Sequence, residues 1–217
     1  NKVVTPFTTQ YSMGVLEDMK FLKVDFLALR NLSVIQEAVQ WINELNDKAL
    51  EIDDIPLDDV ATFQNVFQKG FTGGVFQFES EGMQRLLQDF KPESIEHLTL
   101  LNAMYRPGPM QYIPTVIRRR KGLEQVSWPH PVLEDLLKET YGIMAYQEQV
   151  MAVANSFAGF SLSEADLLRR AIGAKKQEIM DASRDEFIRG ALAEGHSEAL
   201  ARQIYDDIEK FAGYGFY

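Results

Sequence analysis

The 217-residue sequence contains no cysteine. That excludes disulfides, thiolate zinc sites, iron–sulfur clusters and cysteine catalysis, and it fits a reducing compartment. Glycine (14) and proline (8) are too few for a collagen-like or low-complexity chain. No apolar run approaches the roughly 20 residues of a membrane-spanning helix. The opening Asn-Lys-Val-Val-Thr-Pro lacks the charged stretch and apolar core of a secretory signal. Positive charge is in deficit: 22 Lys and Arg face 32 Asp and Glu, a net of -10. A blanket basic surface for DNA or membranes is thereby excluded. Phosphate-loop, dinucleotide and nucleophile-elbow signatures are missing, and Gly70-Phe71-Thr72-Gly73-Gly74 carries no lysine. The three histidines, His97, His130 and His196, are too widely spaced for a zinc motif.

What is present supports a packed core. The chain is 46% hydrophobic and 11% aromatic, which excludes disorder. It lacks an initiator Met and closes on Phe-Ala-Gly-Tyr-Gly-Phe-Tyr, a run that reads like the middle of a domain, so a piece of a longer protein is expected. Alternation predicts a short strand over 21–27, with Leu22, Val24 and Phe26 on one face. A second brief strand is expected at Val75, Phe76 and Phe78. Helical spacing predicts helices over 33–46, 80–90, from Pro92 to the Tyr105–Pro109 break, 132–139 and 143–158. Ser161 and Glu164 form a capping-box pattern opening a helix that should end at Gly173, and helices follow over 175–194 and 197–212. The expected fold class is mainly α, with one or two short strands near the N-terminus.

Charge is unevenly spread. Residues 1–100 carry 8 basic and 16 acidic side chains, whereas residues 101–180 carry 10 and 8. The middle segment holds two basic clusters, Arg118-Arg119-Arg120-Lys121 and Arg169, Arg170, Lys175, Lys176. Guanidinium forks match phosphate oxygens, and a local cluster rather than net charge decides whether a groove holds them. Either cluster alone reads first as a solvated helix face, and the second also as cations that complement a helix C-terminus. Asp25 lies in an apolar stretch, a costly place unless it pairs with Lys23 or Arg30 or holds a metal. Tyr146 beside Gln147 and Glu148 suits stacking on a base, or a core position with its hydroxyl satisfied. Arg106, in the stiff Tyr105-Arg106-Pro107-Gly108-Pro109 turn, is placed for an anion or for a helix end.

Several stretches together resemble one family. They are Leu22-Lys23-Val24-Asp25-Phe26-Leu27, Gly74-Val75-Phe76-Gln77-Phe78-Glu79-Ser80, Asn102-Ala103-Met104-Tyr105-Arg106-Pro107-Gly108-Pro109, Tyr141-Gly142-Ile143-Met144-Ala145-Tyr146-Gln147-Glu148-Gln149, Glu164-Ala165-Asp166-Leu167-Leu168-Arg169-Arg170-Ala171-Ile172-Gly173 and Phe211-Ala212-Gly213-Tyr214-Gly215-Phe216. In order and over nearly the whole chain they resemble the C-family replicative DNA polymerases of bacteria, the DNA polymerase III alpha subunits. The resemblance implies that residues 1–30 end the palm and that 31–217 are the fingers, truncated. It implies nucleotidyl transfer from a dNTP to a primer 3′-hydroxyl with two Mg²⁺ ions, in the cytoplasm, with primer–template DNA, the dNTP and other replicase subunits as partners. Asp25 matches a catalytic, metal-holding aspartate, and its two companion aspartates lie upstream of this sequence. Arg169 and Arg170 match the triphosphate contacts, with Lys175 and Lys176 adding charge. Tyr146 and Arg106 are then candidates for the nucleotide pocket, and Arg118, Arg119, Arg120 and Lys121 for the DNA backbone. Three positions depart from the family pattern: Ala28 for glycine, Ala174 within the lysine run, and Tyr217 for asparagine. A different class of function also stays open: a noncatalytic acidic helical module that docks proteins, whose docking would survive loss of the basic clusters.

Overall fold

The computed structural model describes residues 8–24, 26–47, 49–174 and 177–212, with backbone only for 173, 174, 177–179, 211 and 212. Asp25, Lys175 and Lys176 lie outside the described residues. The chain divides after Ile55 into two units.

In the first unit, helices α1 (Met13–Asp18) and α2 (Arg30–Asn46) bury no residue. The apolar positions predicted at helical spacing are on α2, which ends where Asp47 turns left-handed at φ 49°. Asn43 then ties down the following loop. Its amide donates to the Leu50 carbonyl at 3.0 Å and its carbonyl accepts the Leu50 N–H at 2.8 Å.

Among the described residues there is no β-strand, which corrects the expectation of one or two. Residues 21–24 and 26–29 have no regular structure, and Leu22 and Phe26 are 88% and 97% exposed. Alternation becomes a strand only when a neighbouring strand supplies the ladder hydrogen bonds, and the described residues supply none. The second expected strand is wound into turns. The Val75 N–H donates to the Thr72 carbonyl (3.0 Å) and the Phe78 N–H to the Val75 carbonyl (2.9 Å). Positive φ at Gly74 (81°) and Gln77 (67°) breaks any extended run there.

The second unit is built on two hydrophobic cores. In the first, a short helix α3 (Val60–Thr62) widens into a π turn (Phe63–Phe67), and α4 (Glu81–Phe90), α5 (Ile95–Met104) and α6 (Ile113–Arg120) bury Phe63, Leu87, Phe90, Leu101 and Met104. In the second, α7 (Pro131–Leu137), α8 (Gln147–Ala158), α9 (Leu162–Ala174), α10 (Gln177–Ala193) and α11 (Glu198–Ala212) enclose Phe157, Leu168, Phe187, Ile204 and Tyr205. Caps set the helix starts. Ser80 and Ser94 each accept an N–H three residues on, from Met83 and His97, both at 3.3 Å. Helix α5 therefore begins after Ser94 and not in the turn opened by Pro92. The Ser161–Glu164 box forms as expected: the Glu164 N–H donates to Ser161 Oγ (3.3 Å) and the Ser161 N–H to Glu164 Oε2 (2.7 Å). Helix α9 continues through Gly173 to Ala174, one residue beyond the predicted stop.

The helices of the second core approach closely at one point. A Cβ on Gly190, in α10, would sit 2.1 Å from the Ala158 carbonyl oxygen at the end of α8. Gly190→Ala thus sets two effects against each other. Alanine is the better helix former by about 1 kcal/mol, but overpacking against a backbone oxygen costs about 1–3 kcal/mol. The clash should win, and urea titration should show Gly190→Ala lowering the unfolding midpoint; a raised midpoint would mean that the helices separate freely.

Candidate nucleotide and nucleic-acid interface

Helix α9 carries two faces. Ala165, Leu168 and Ile172 are buried in the core, which turns Asp166, Arg169 and Arg170 away from it. Their i, i+3 and i+4 spacing brings all three together. Asp166 Oδ1 accepts from Arg169 Nε at 2.8 Å and lies 2.8 Å from its Nη2, while Oδ2 is 2.7 Å from Arg170 Nε. The hydrogen bond from Arg169 holds the Asp166 carboxyl below the usual carboxylate range, against the opposing effect of desolvation. Arg169 also reaches α8, its Nη1 lying 3.4 Å from Gln147 Oε1. The side chain of Arg170 remains 69% exposed and that of Arg169 32%.

A buried amide sets the start of α8. Gln149 Oε1 accepts the backbone N–H groups of Ala145 (2.9 Å) and Tyr146 (3.1 Å), and its Nε2 donates to Thr140 Oγ1 (2.8 Å). The Thr140 hydroxyl donates in turn to the Ile143 carbonyl (2.6 Å). This pinning explains why α8 begins at Gln147 rather than at Ile143 as predicted. It also fixes Tyr146, whose ring packs against the first core, as does that of Tyr105. Arg106 follows α5, half-buried, its carbonyl accepting the Met110 N–H at 3.1 Å.

The cluster at 118–121 ends α6, where cations favour the helix C-terminus. Its members serve different ends. Arg120 is 15% exposed and spans to α4, donating from Nε to the Phe90 carbonyl (2.8 Å) and from Nη2 to the Lys91 carbonyl (2.6 Å). Its guanidinium also lies over the Phe90 ring, 4.6 Å from the centroid. Arg119 donates to Glu124 Oε1 (2.8 Å) and to the Tyr141 carbonyl (2.6 Å). Arg118 shares Glu124 (2.9 Å) and bonds Thr115 Oγ1 (3.1 Å), yet stays half exposed. Lys121 is exposed and, with Arg118 and Arg85, edges an open trough of about 600 Å³ between α4 and α6.

The structure thus groups Arg169 and Arg170 with Gln147, the residue after Tyr146, whereas the Tyr146 ring and the 118–121 cluster lie with the α4–α6 core and Arg106 follows α5. Sequence reasoning missed two supporting residues, Asp166 and Gln149. Asp166 was readable from its spacing to the arginines; Gln149 gave no signal. Among the described residues, no three His, Asp or Glu side chains are grouped to hold a metal ion, and no helix is long and apolar enough to cross a membrane.

Comparison with known proteins decides the family. Residues 31–195 match the model of the bacterial DNA polymerase III alpha subunit finger domain. The chain belongs to the bacterial DNA polymerase III alpha subunit family. It is 48% identical to the DNA polymerase III subunit alpha of Borreliella burgdorferi over 96% of this chain and 18% of that protein. To the DNA polymerase III subunits alpha of Bacillus subtilis and Thermus aquaticus it is 46% and 47% identical, over 97% and 96% of this chain and 19% and 17% of theirs. The chain therefore spans about a fifth of the length of these relatives.

Two tests follow for the α4–α6 core. Arg120→Ala removes charged hydrogen bonds to two carbonyls at the end of α4, a loss of about 1.5–3 kcal/mol. Arg118→Ala removes a solvent-screened surface pair and should cost far less. Urea titration should separate the two; equal small losses would make Arg120 a surface cation. The second test is pH. His97 is held neutral, its pKa lowered from 6.5 by burial and then by Arg120. Its Nδ1 accepts the Glu93 N–H at 3.2 Å, and Arg120 Nη1 lies 3.1 Å from Nε2. Between its lowered value and 6.5 the unfolded chain binds the extra proton, so stability falls as pH falls below 6.5. His97→Gln should flatten that slope; an unchanged slope would assign it to carboxylates.

Proposed function

We propose that residues 1–30 close the palm and 31–217 form the finger domain, truncated, of a replicative DNA-directed DNA polymerase, and that this chain's share of the reaction is to hold the incoming dNTP. In that reaction the primer 3′-hydroxyl attacks the α-phosphate and pyrophosphate leaves. The observation that carries the reading is the convergence of Arg169 and Arg170 on one carboxylate beside Gln147, in a chain of this family. The two guanidinium groups meet the triphosphate, because planar forks match phosphate oxygens and concentrate positive charge in an acidic chain. Lys175 and Lys176 extend that charge. Tyr146, its backbone pinned by Gln149, borders the base or sugar, and Arg106 stands as a further contact to the nucleotide or template.

Arg118 and Lys121 are the exposed members of their cluster and meet the phosphates of primer–template DNA. Arg119 and Arg120 support them from within the fold. On this reading Asp25 is the catalytic carboxylate that holds Mg²⁺. A two-ion site needs at least two carboxylates, so Asp25 acts together with carboxylates supplied by the rest of the whole protein. Other replicase subunits are partners of that whole cytoplasmic protein.

A second reading, the acidic docking module, draws on α2, whose Trp41 and Leu45 are exposed. One experiment separates the two. In a full-length alpha subunit carrying this sequence, Arg169→Ala and Arg170→Ala should each raise the KM for dNTP about tenfold or more. That corresponds to a charged phosphate contact of about 1.5–3 kcal/mol, at 1.4 kcal/mol per tenfold. An unchanged KM in steady-state incorporation assays would overturn the nucleotide reading and favour docking.

A further inference from the structure

We infer that Asp166 is a positioning residue for the nucleotide: it brackets Arg169 and Arg170 so that both guanidinium groups are held side by side for one polyphosphate. The inference rests on the nucleotide reading above and adds a residue to it.

Two arginines on adjacent positions of a helix repel one another, and each side chain has several rotamers to lose on ordering. Left alone, they would present a diffuse charge rather than a fork. Asp166 changes that by geometry. One carboxylate oxygen takes the Nε and Nη2 edge of Arg169, both at 2.8 Å, and the other takes Nε of Arg170 at 2.7 Å. Both guanidinium groups are therefore gripped through the Nε side, nearest the helix. Arg170 stays 69% exposed, and Arg169 turns its Nη1 toward Gln147 on α8. The bracket has a rigid base, since Ala165 and Leu168, flanking Asp166 on α9, are buried and the Ser161–Glu164 box pins the start of the helix. Hydrogen bonding from Arg169 keeps the carboxyl ionised.

A plain counter-ion would do something different. If Asp166 only neutralises the arginines until a triphosphate displaces it, Asp166→Asn adds one unit of positive charge and should tighten nucleotide binding. If Asp166 brackets them, the same substitution should weaken binding, because the added charge comes with two side chains that must now be ordered by the ligand itself. The sign of the change decides.

The experiment uses a full-length alpha subunit carrying this sequence, with steady-state single-nucleotide incorporation on a primer–template and dNTP as the probe. Asp166→Asn should raise the KM for dNTP about tenfold, the effect of losing the pre-ordering of two side chains. The kcat should stay within about twofold, as expected for an interaction made equally before and during the chemical step. Fluorescence anisotropy should show primer–template affinity unchanged. Because the bracket needs both arginines, Asp166→Asn should cost clearly less in an Arg170→Ala background than alone. A KM that is unchanged or lower in Asp166→Asn overturns the inference and leaves a counter-ion. So does full additivity with Arg170→Ala. If Arg169→Ala and Arg170→Ala themselves leave KM unchanged, the nucleotide reading fails first; if they raise it while Asp166→Asn does not, only the bracket fails. Should Asp166→Asn prove unfolded in thermal scans, Asp166→Glu decides. Its carboxylate is displaced by one methylene, so a raised KM with kcat kept supports the bracket and a wild-type KM overturns it.

Discussion

The side chain of Gln149 stands at the join of the second unit. Its amide faces away from water and satisfies four polar partners at once: the N–H groups of Ala145 and Tyr146, the Thr140 hydroxyl and, at 3.4 Å, the Leu136 carbonyl. Those partners belong to the end of α7, the segment after it and the entrance to α8. The same segment contributes Ile143 and Ala145 to one core and Met144 to the other. A buried amide with this many partners leaves the loop few alternatives, since each broken bond strands a polar group away from water. The position of Tyr146, and through Gln147 the reach of α8 toward Arg169, depend on it.

Arginine is used in two distinct ways in this acidic chain. Arg119 and Arg120 spend their donors inward on carbonyl oxygens, where a guanidinium can bridge helix ends that would otherwise be unsatisfied. Arg169 and Arg170 instead share a carboxylate on their own helix and keep an outward face. Burial and the number of backbone acceptors within reach distinguish the two uses, and neither follows from the presence of an arginine run.

Much of the helical framework was legible because it rests on local chemistry. The Ser161–Glu164 box, the Tyr105–Pro109 break and the left-handed end of α8 at Gly159 (φ 67°) each involve residues close in sequence. The absence of strands was not legible. Leu22, Val24 and Phe26 alternate, but a strand is a property of two segments, and among the described residues no second segment pairs with them. The turn at 72–78 failed for another reason: the backbone reversals at Gly74 and Gln77 override an apolar run that would otherwise extend. The exposed apolar side chains of α2 show the same limit, because a helical period states which side is apolar and not what covers it.

For the site, residue types and spacing by themselves determined that positive charge is concentrated at 118–121 and 169–176, and that Asp166 stands three and four residues before two arginines. Motif order pointed to the polymerase family. Only the tertiary structure decided which arginines are spent within the fold and that Gln149 is buried against Thr140 and the Leu136 carbonyl of α7. It also decided that Arg169 meets Gln147 across 22 positions of sequence. The reason is physical: charge and helical period are carried by neighbours along the chain, whereas burial and hydrogen-bond partnership depend on which distant segments are packed together.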